Sequence, residues 1–159
     1  MQATFNLLES SAGPALAAAR DAGLGVIIKE AMANGRLAPQ RRGSTPPRGG
    51  AALGEGASPG ATPQLEGAPA GLSPEAAAPL AREAAALGAT SDALALAYVM
   101  AQPWVDVVLS GASTSAQLAA NARCVALAAA LDAKTLRRLS AAAEAPKAYW
   151  EQRSALAWN

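Results

Sequence analysis

The chain has 159 residues, enough for one domain with a core of its own. Its apolar fraction of 52% rests on 45 alanines and only six aromatic residues, so the side chains available to that core are small. A formal net charge of +1 gives no electrostatic ground for nucleic-acid or acidic-membrane partners.

The chain contains no histidine, which excludes a histidine base, a Ser-His-Asp triad and histidine metal ligands. The single cysteine, Cys124, excludes an internal disulfide framework and suits a reducing, cytoplasmic compartment as a small buried side chain. Met1 to Phe5 show no basic stretch followed by an apolar run, so no signal peptide is readable. No apolar run reaches the roughly 18 residues of a membrane span.

In chain order, Gln2 to Leu8 reads as a strand, and Ser11 to Gly13 as a break. Pro14 suits the first turn of a helix that Gly23 ends. Leu24 to Ile28 is a short, buried, β-branched strand, left through a loop containing Asn34-Gly35. From Ala38 to Leu72, Pro and Gly recur without a period, and only Leu53, Leu65 and Leu72 are large and apolar. Such a stretch cannot offset its ordering entropy, so residues 38–72 read as a disordered insertion with solvated arginines.

Ser73-Pro74-Glu75 signals a helix start, with Pro79 placed to delay the regular part. Gly88 closes this helix, and Thr90-Ser91-Asp92 supplies caps for the next, Ala93 to Ala101. That helix is apolar on nearly all sides and should be buried. Pro103 stops it. Val105 to Leu109 is the clearest strand, followed by a small-residue turn and a helix from Ser115 to about Arg123. Asp132 caps a last helix, with Leu136 and Leu139 on one face and Lys134, Arg137 and Arg138 on the other. A tail from Lys147 to Asn159 follows. Strands alternating with helices indicate an α/β fold with a parallel sheet.

The stretch Val107 to Gln117, with Asn121 one turn on, carries the chemistry. A buried strand ends in a turn of small residues and a helix follows at once. Gly111 lets backbone approach a ligand, and free amides at the helix N-terminus can hold a phosphate. Gln117 and Asn121 share a helix face near that end. Thr114-Ser115-Ala116-Gln117 is also a capping box, and capping alone accounts for Thr114 and Gln117. Both readings stand at this point.

The order Ser110-Gly111-Ala112-Ser113-Thr114-x-x-Gln117-Leu118-x-x-Asn121 resembles the last barrel strand and nucleotide-binding loop of the aldo/keto reductase family. Ala95 to Pro103 is similar to the helix before that strand, Gln2 to Leu8 to the sixth strand, and Gly25 to Leu37 to the seventh. Tyr149 to Arg153 also has a counterpart, so the resemblance covers nearly everything outside residues 38–72.

The resemblance implies a partial (β/α)8 TIM barrel of about the last three βα units plus C-terminal helices. Residues 1–37 would hold strands six and seven, and residues 73–159 the last helices, strand eight, the loop and the tail. It implies NADPH as cofactor and a small carbonyl compound as substrate in a complete barrel. Gln2 would bond the nicotinamide carboxamide, and Met32 and Asn34 would lie by the pyrophosphate. The backbone of Ser110, Gly111 and Ala112, with Ser113, would hold the adenosine phosphate, and Gln117 and Asn121 would face that phosphate and the adenine. Lys29 stands where many members place an aromatic, Ser110 where they place proline, and Ala120 where they place an acid.

The family's Asp, Tyr, Lys and His catalytic group comes from the first half of its barrel, and no residue here matches it. A complete barrel needs roughly 250 residues. The leading expectation is therefore the C-terminal half of such a reductase, without catalytic competence alone and with strand edges open to self-association. A non-catalytic NADP(H)-binding or half-barrel module is the second expectation, and a relic reading frame without a stable fold the third.

Overall fold

A computed structural model describes residues 1–38 and 71–156, so almost all of the Pro/Gly-rich stretch lies outside the described residues. Three short strands, β1 (Gln2–Thr4), β2 (Ile27–Lys29) and β3 (Val107–Val108), pair in parallel in the order β1-β2-β3. Helix α1 (Gly13–Asp21) makes the first crossover, and α2 (Pro74–Ala86) and α3 (Ser91–Met100) precede β3. Helices α4 (Ser115–Ala122), α5 (Cys124–Ala130), α6 (Ala133–Ser140) and α7 (Pro146–Ser154) follow. Parallel strands joined through helices agree with the α/β expectation.

The register places Gln2 beside Ile27, Ile27 beside Val107, and Ala3, Ile28 and Val108 in one row. Alternation then divides the sheet into two faces. Ala3, Ile28 and Val108 pack into the main core with Leu16 of α1 and with Leu94 to Val99 of α3. The opposite face carries Ile27, Lys29, Val107 and Leu109. Val107 and Leu109 are each 46% exposed there, so that end of the sheet is only about half covered by the described residues.

Helix α3 is the centre of the core, as its apolar circumference predicts: every residue from Ala93 to Val99 is buried. Phe5 stacks on Tyr98 and meets Trp104 edge-on, using half of the chain's aromatic residues in one cluster. Cys124 of α5 is buried against the Met100 sulfur, as expected of a small core thiol, and burial pushes that thiol up.

Several elements differ from the sequence expectation for identifiable reasons. The first strand stops at Thr4 rather than Leu8 because the Asn6 side chain accepts from the Leu8 and Glu9 amides, both at 2.9 Å, folding the chain into a turn. The last strand is two residues long rather than five. The Val26 amide donates to Asp106 at 2.8 Å instead of to strand backbone, and the Asp106 and Val107 amides share the Val26 carbonyl.

Pro79 does not delay α2, which runs unbroken from Pro74. The bond it removes lies in the first turns, where the exposed Glu75 carbonyl can reach water. Ser73 caps α2 by accepting from Ala76, and Asp132 caps α6 by accepting from Thr135 at 2.7 Å. At α3 the Thr90 side chain makes no capping bond.

Candidate functional site

In a parallel sheet every strand leaves by the same end, so the loops after neighbouring strands face each other. Here the loops after β2 and β3 enclose a cleft of about 540 Å³. Seven of the residues singled out in the sequence line it: Met32 and Asn34 on one wall, and Ser110, Gly111, Ala112, Gln117 and Asn121 on the other. Lys29, Glu30 and Asp92 add the charges. The structure does not bring Gln2 there. Gln2 pairs with Ile27, at the end of the sheet where the strands begin, about 7 Å back along the strand from the Thr4–Lys29 row. Ser113 lies outside the cleft lining and bonds to Gln117 instead.

The first wall is a strained turn. Glu30, Ala33 and Asn34 have φ of 56°, 47° and 55°, three left-handed non-glycine residues within five positions. Each costs on the order of 1 kcal/mol or more, least for asparagine. The turn persists because its ends are tied. Asn6 donates to the Glu30 carbonyl at 3.0 Å, and Ala33 donates to the same carbonyl at 2.8 Å. Asn6 is wholly buried and also donates to the Tyr149 hydroxyl at 3.0 Å, so its amide joins three parts of the chain. Burial pushes the Glu30 carboxyl up, but the Arg153 guanidinium and the Asn34 amide outweigh it and hold that carboxyl below the usual range.

The second wall is the turn into α4. Gly111 has φ of 66°, and open space lies where a Cβ would stand, so its backbone is presented to the cleft. Both halves of the capping box are formed: Gln117 donates its amide to Thr114 Oγ1 at 3.2 Å, and Gln117 Oε1 accepts from the Thr114 amide at 3.1 Å. The same oxygen accepts from the Ser113 amide and hydroxyl, both at 2.9 Å. The capping reading of Gln117 is thus realised in the structure, and the donors it takes are those of residues 113 and 114. The Ser115 and Ala116 amides, in the first turn of α4, have no acceptor among the described residues. Asn121 Nδ2 reaches back to the Ser110 carbonyl at 3.4 Å, joining helix to turn across the cleft floor.

The ionisable side chains lining the cleft are Lys29, Glu30 and Asp92. Lys29 is its only basic side chain among the described residues, and neither tyrosine lines it. Tyr98 is buried under Phe5, and Tyr149 is buried against Asn6; burial raises both phenols.

Sequence reasoning missed Glu30, Asn6, Arg153 and Asp92 as parts or supports of this cleft. Asp92 could have been found, since it starts the helix before β3. Nothing in spacing links residue 6 or 153 to residue 30. A second cavity of about 530 Å³ lies between α2 and α6, lined mainly by apolar side chains such as Leu8, Leu80 and Leu139. It gathers none of the residues expected to bind a nucleotide.

No helix among the described residues is long and apolar enough to cross a membrane. No group of metal-ligating side chains occurs among them either. No curated protein matches the chain. A family model, that of the aldo/keto reductase family, matches residues 1–144.

Proposed function

The chain belongs to the aldo/keto reductase family, and we propose that it is a C-terminal part of such an enzyme that holds NADP(H) without completing carbonyl reduction alone. The observation that carries this reading is the convergence of both predicted loops on one cleft at the outgoing end of the parallel sheet. The residues fit a dinucleotide in three respects. Gly111 offers backbone without a side chain on one wall, Met32 and Asn34 stand on the other, and the Ser115 and Ala116 amides at the adjoining start of α4 have no acceptor among the described residues. NADPH, when bound, would supply a hydride. The chain's own residues would hold its phosphates and orient it.

Proton transfer to a carbonyl oxygen needs a positioned acid. The chain has no histidine, and its two tyrosines are packed away from the cleft. Titration of the pure chain with NADPH, followed by nucleotide fluorescence, should saturate. Aldehyde-dependent NADPH oxidation should stay at the buffer rate. A folded protein with no saturable signal refutes the nucleotide reading, and clear turnover refutes the inertness. The single buried Cys124 suits a reducing, cytoplasmic setting.

A second reading draws on the half-covered sheet face. Val107 and Leu109 present apolar surface beside a strand edge, which suits a half-barrel that pairs with another sheet. Sedimentation at increasing protein concentration tests it: a monomer throughout would end that reading.

A further inference from the structure

We propose that Arg153 is a positioning residue for the cleft: through Glu30 it holds the strained turn after β2 in the shape that walls the nucleotide. The use made of the turn rests on the nucleotide reading above; the hold itself does not.

Arg153 does not line the cleft. It projects from α7 behind the turn, against Ala33 and Asn34. Its Nε lies 3.3 Å from both Glu30 carboxylate oxygens, and its Nη2 lies 3.1 Å from Oε1. The side chains are only 20% and 14% exposed, so this forked pair is shielded from solvent in a way that most surface pairs are not. Glu30 passes the restraint on. Its Oε2 accepts from Asn34 Nδ2 at 3.2 Å, and its carbonyl accepts from the Ala33 amide, so both other left-handed residues are bonded to it.

Helix α7 is itself seated firmly. The Tyr149 hydroxyl takes a bond from Asn6, and the Arg36 guanidinium lies 5.8 Å from the Tyr149 ring while pairing with Glu144 just before α7. A turn with three residues in a disfavoured region relaxes unless its surroundings over-determine it. Arg153 is the member of those surroundings that bonds to the Glu30 carboxylate, and it stands 123 residues further along the chain.

The test uses the full chain with Arg153→Met, which keeps the stem and removes the charge, and Arg153→Lys. Amide exchange is read at Ala33, Gly35 and Leu37, whose amides close the turn, and at Ile28 and Leu96 as references. NADPH affinity is read by fluorescence. Arg153→Met should speed exchange in the turn about tenfold with the references unchanged, and weaken NADPH about tenfold. Arg153→Lys, which keeps the charge and loses the fork, should restore part of both.

Unchanged exchange in the turn overturns the proposal, as does an equal rise at every amide, which would mark a merely structural residue. Faster turn exchange with unaltered NADPH affinity overturns the claim that the turn's shape serves the nucleotide. If the unmodified chain binds no NADPH, the nucleotide reading falls, and the exchange measurement still decides for or against the hold.

Discussion

Gln117 turns its carboxamide oxygen back onto Ser113, taking both the amide and the hydroxyl of that residue at 2.9 Å. The oxygen also takes the Thr114 amide, so three donors converge on one neutral acceptor. A phosphate oxygen has the same appetite for donors and carries charge. On the proposed nucleotide reading, a phosphate would compete with this glutamine for the donors of the turn.

The reciprocal half of that box can be removed alone. Thr114→Ala deletes the acceptor for the Gln117 amide at an exposed helix start and should destabilise the protein by about 1 kcal/mol. The shift in urea midpoint, with an unchanged slope, measures it. No shift would mean that Gln117 Oε1 alone holds the end of the helix.

Gly111→Ala separates space from backbone strain. Nothing stands within 4 Å of the added methyl, yet φ is 66°. The expected loss is about 1 kcal/mol with the fold retained, read again from the urea midpoint. A neutral result would show that the turn can relax to a negative φ.

Asn6→Ala should be the most damaging polar substitution. It strips acceptors from the Leu8 and Glu9 amides and a donor from both the Glu30 carbonyl and the Tyr149 hydroxyl, all at a fully buried position. A loss of about 2–4 kcal/mol is expected, enough to threaten folding at 37 °C. Thermal melts of the variant check it, and a change below 1 kcal/mol would mean that water replaces the amide.

The pH dependence has a definite sign. Glu30 faces Arg153 from α7, Lys29 from β2 and the Tyr149 phenol, and its carboxyl is held below the usual range, as is that of Asp132, the cap of α6. A carboxyl depressed on folding contributes stability that is present above its unfolded pKa and lost as pH falls through the folded value. Urea midpoints taken from neutral pH to about pH 3 should fall for the unmodified chain. Glu30→Gln should start lower and fall less, so the two curves converge in acid. Parallel curves would show that Glu30 does not titrate differently in the two states.

The parts of this fold legible from sequence are those set by local pattern. The apolar circumference of α3 predicts its burial, Pro14 and Ser73 announce helix starts, and the alternation of strand and helix yields a parallel sheet. The second wall of the cleft was legible for the same reason, since turn, cap and helix are contiguous from Ser110 to Asn121.

The unread parts depend on distant groups. Strand β1 ends where Asn6 makes its own bonds, and β3 shortens because Asp106 intercepts the Val26 amide 80 residues away. Helix α5 lacks any capping side chain, and it follows α4 through a helical Arg123. Helix α7 falls in the stretch that reads as a tail, although Pro146 stands in its first turn as a start signal. Gln2 was placed by resemblance alone, and the register sets it at the other end of the sheet.

Glu30 and its partner Arg153 are separated by 123 residues. At ordinary translation speeds of 5–20 residues per second, about 6–25 s pass between the synthesis of one and the other. During that interval β1 and β2 can already pair while the turn beyond them has nothing to lean on. The pocket's near side can thus set only once α7 has been made, well after the strands that border it, and a cut between α6 and α7 would take away the partner on which that side leans.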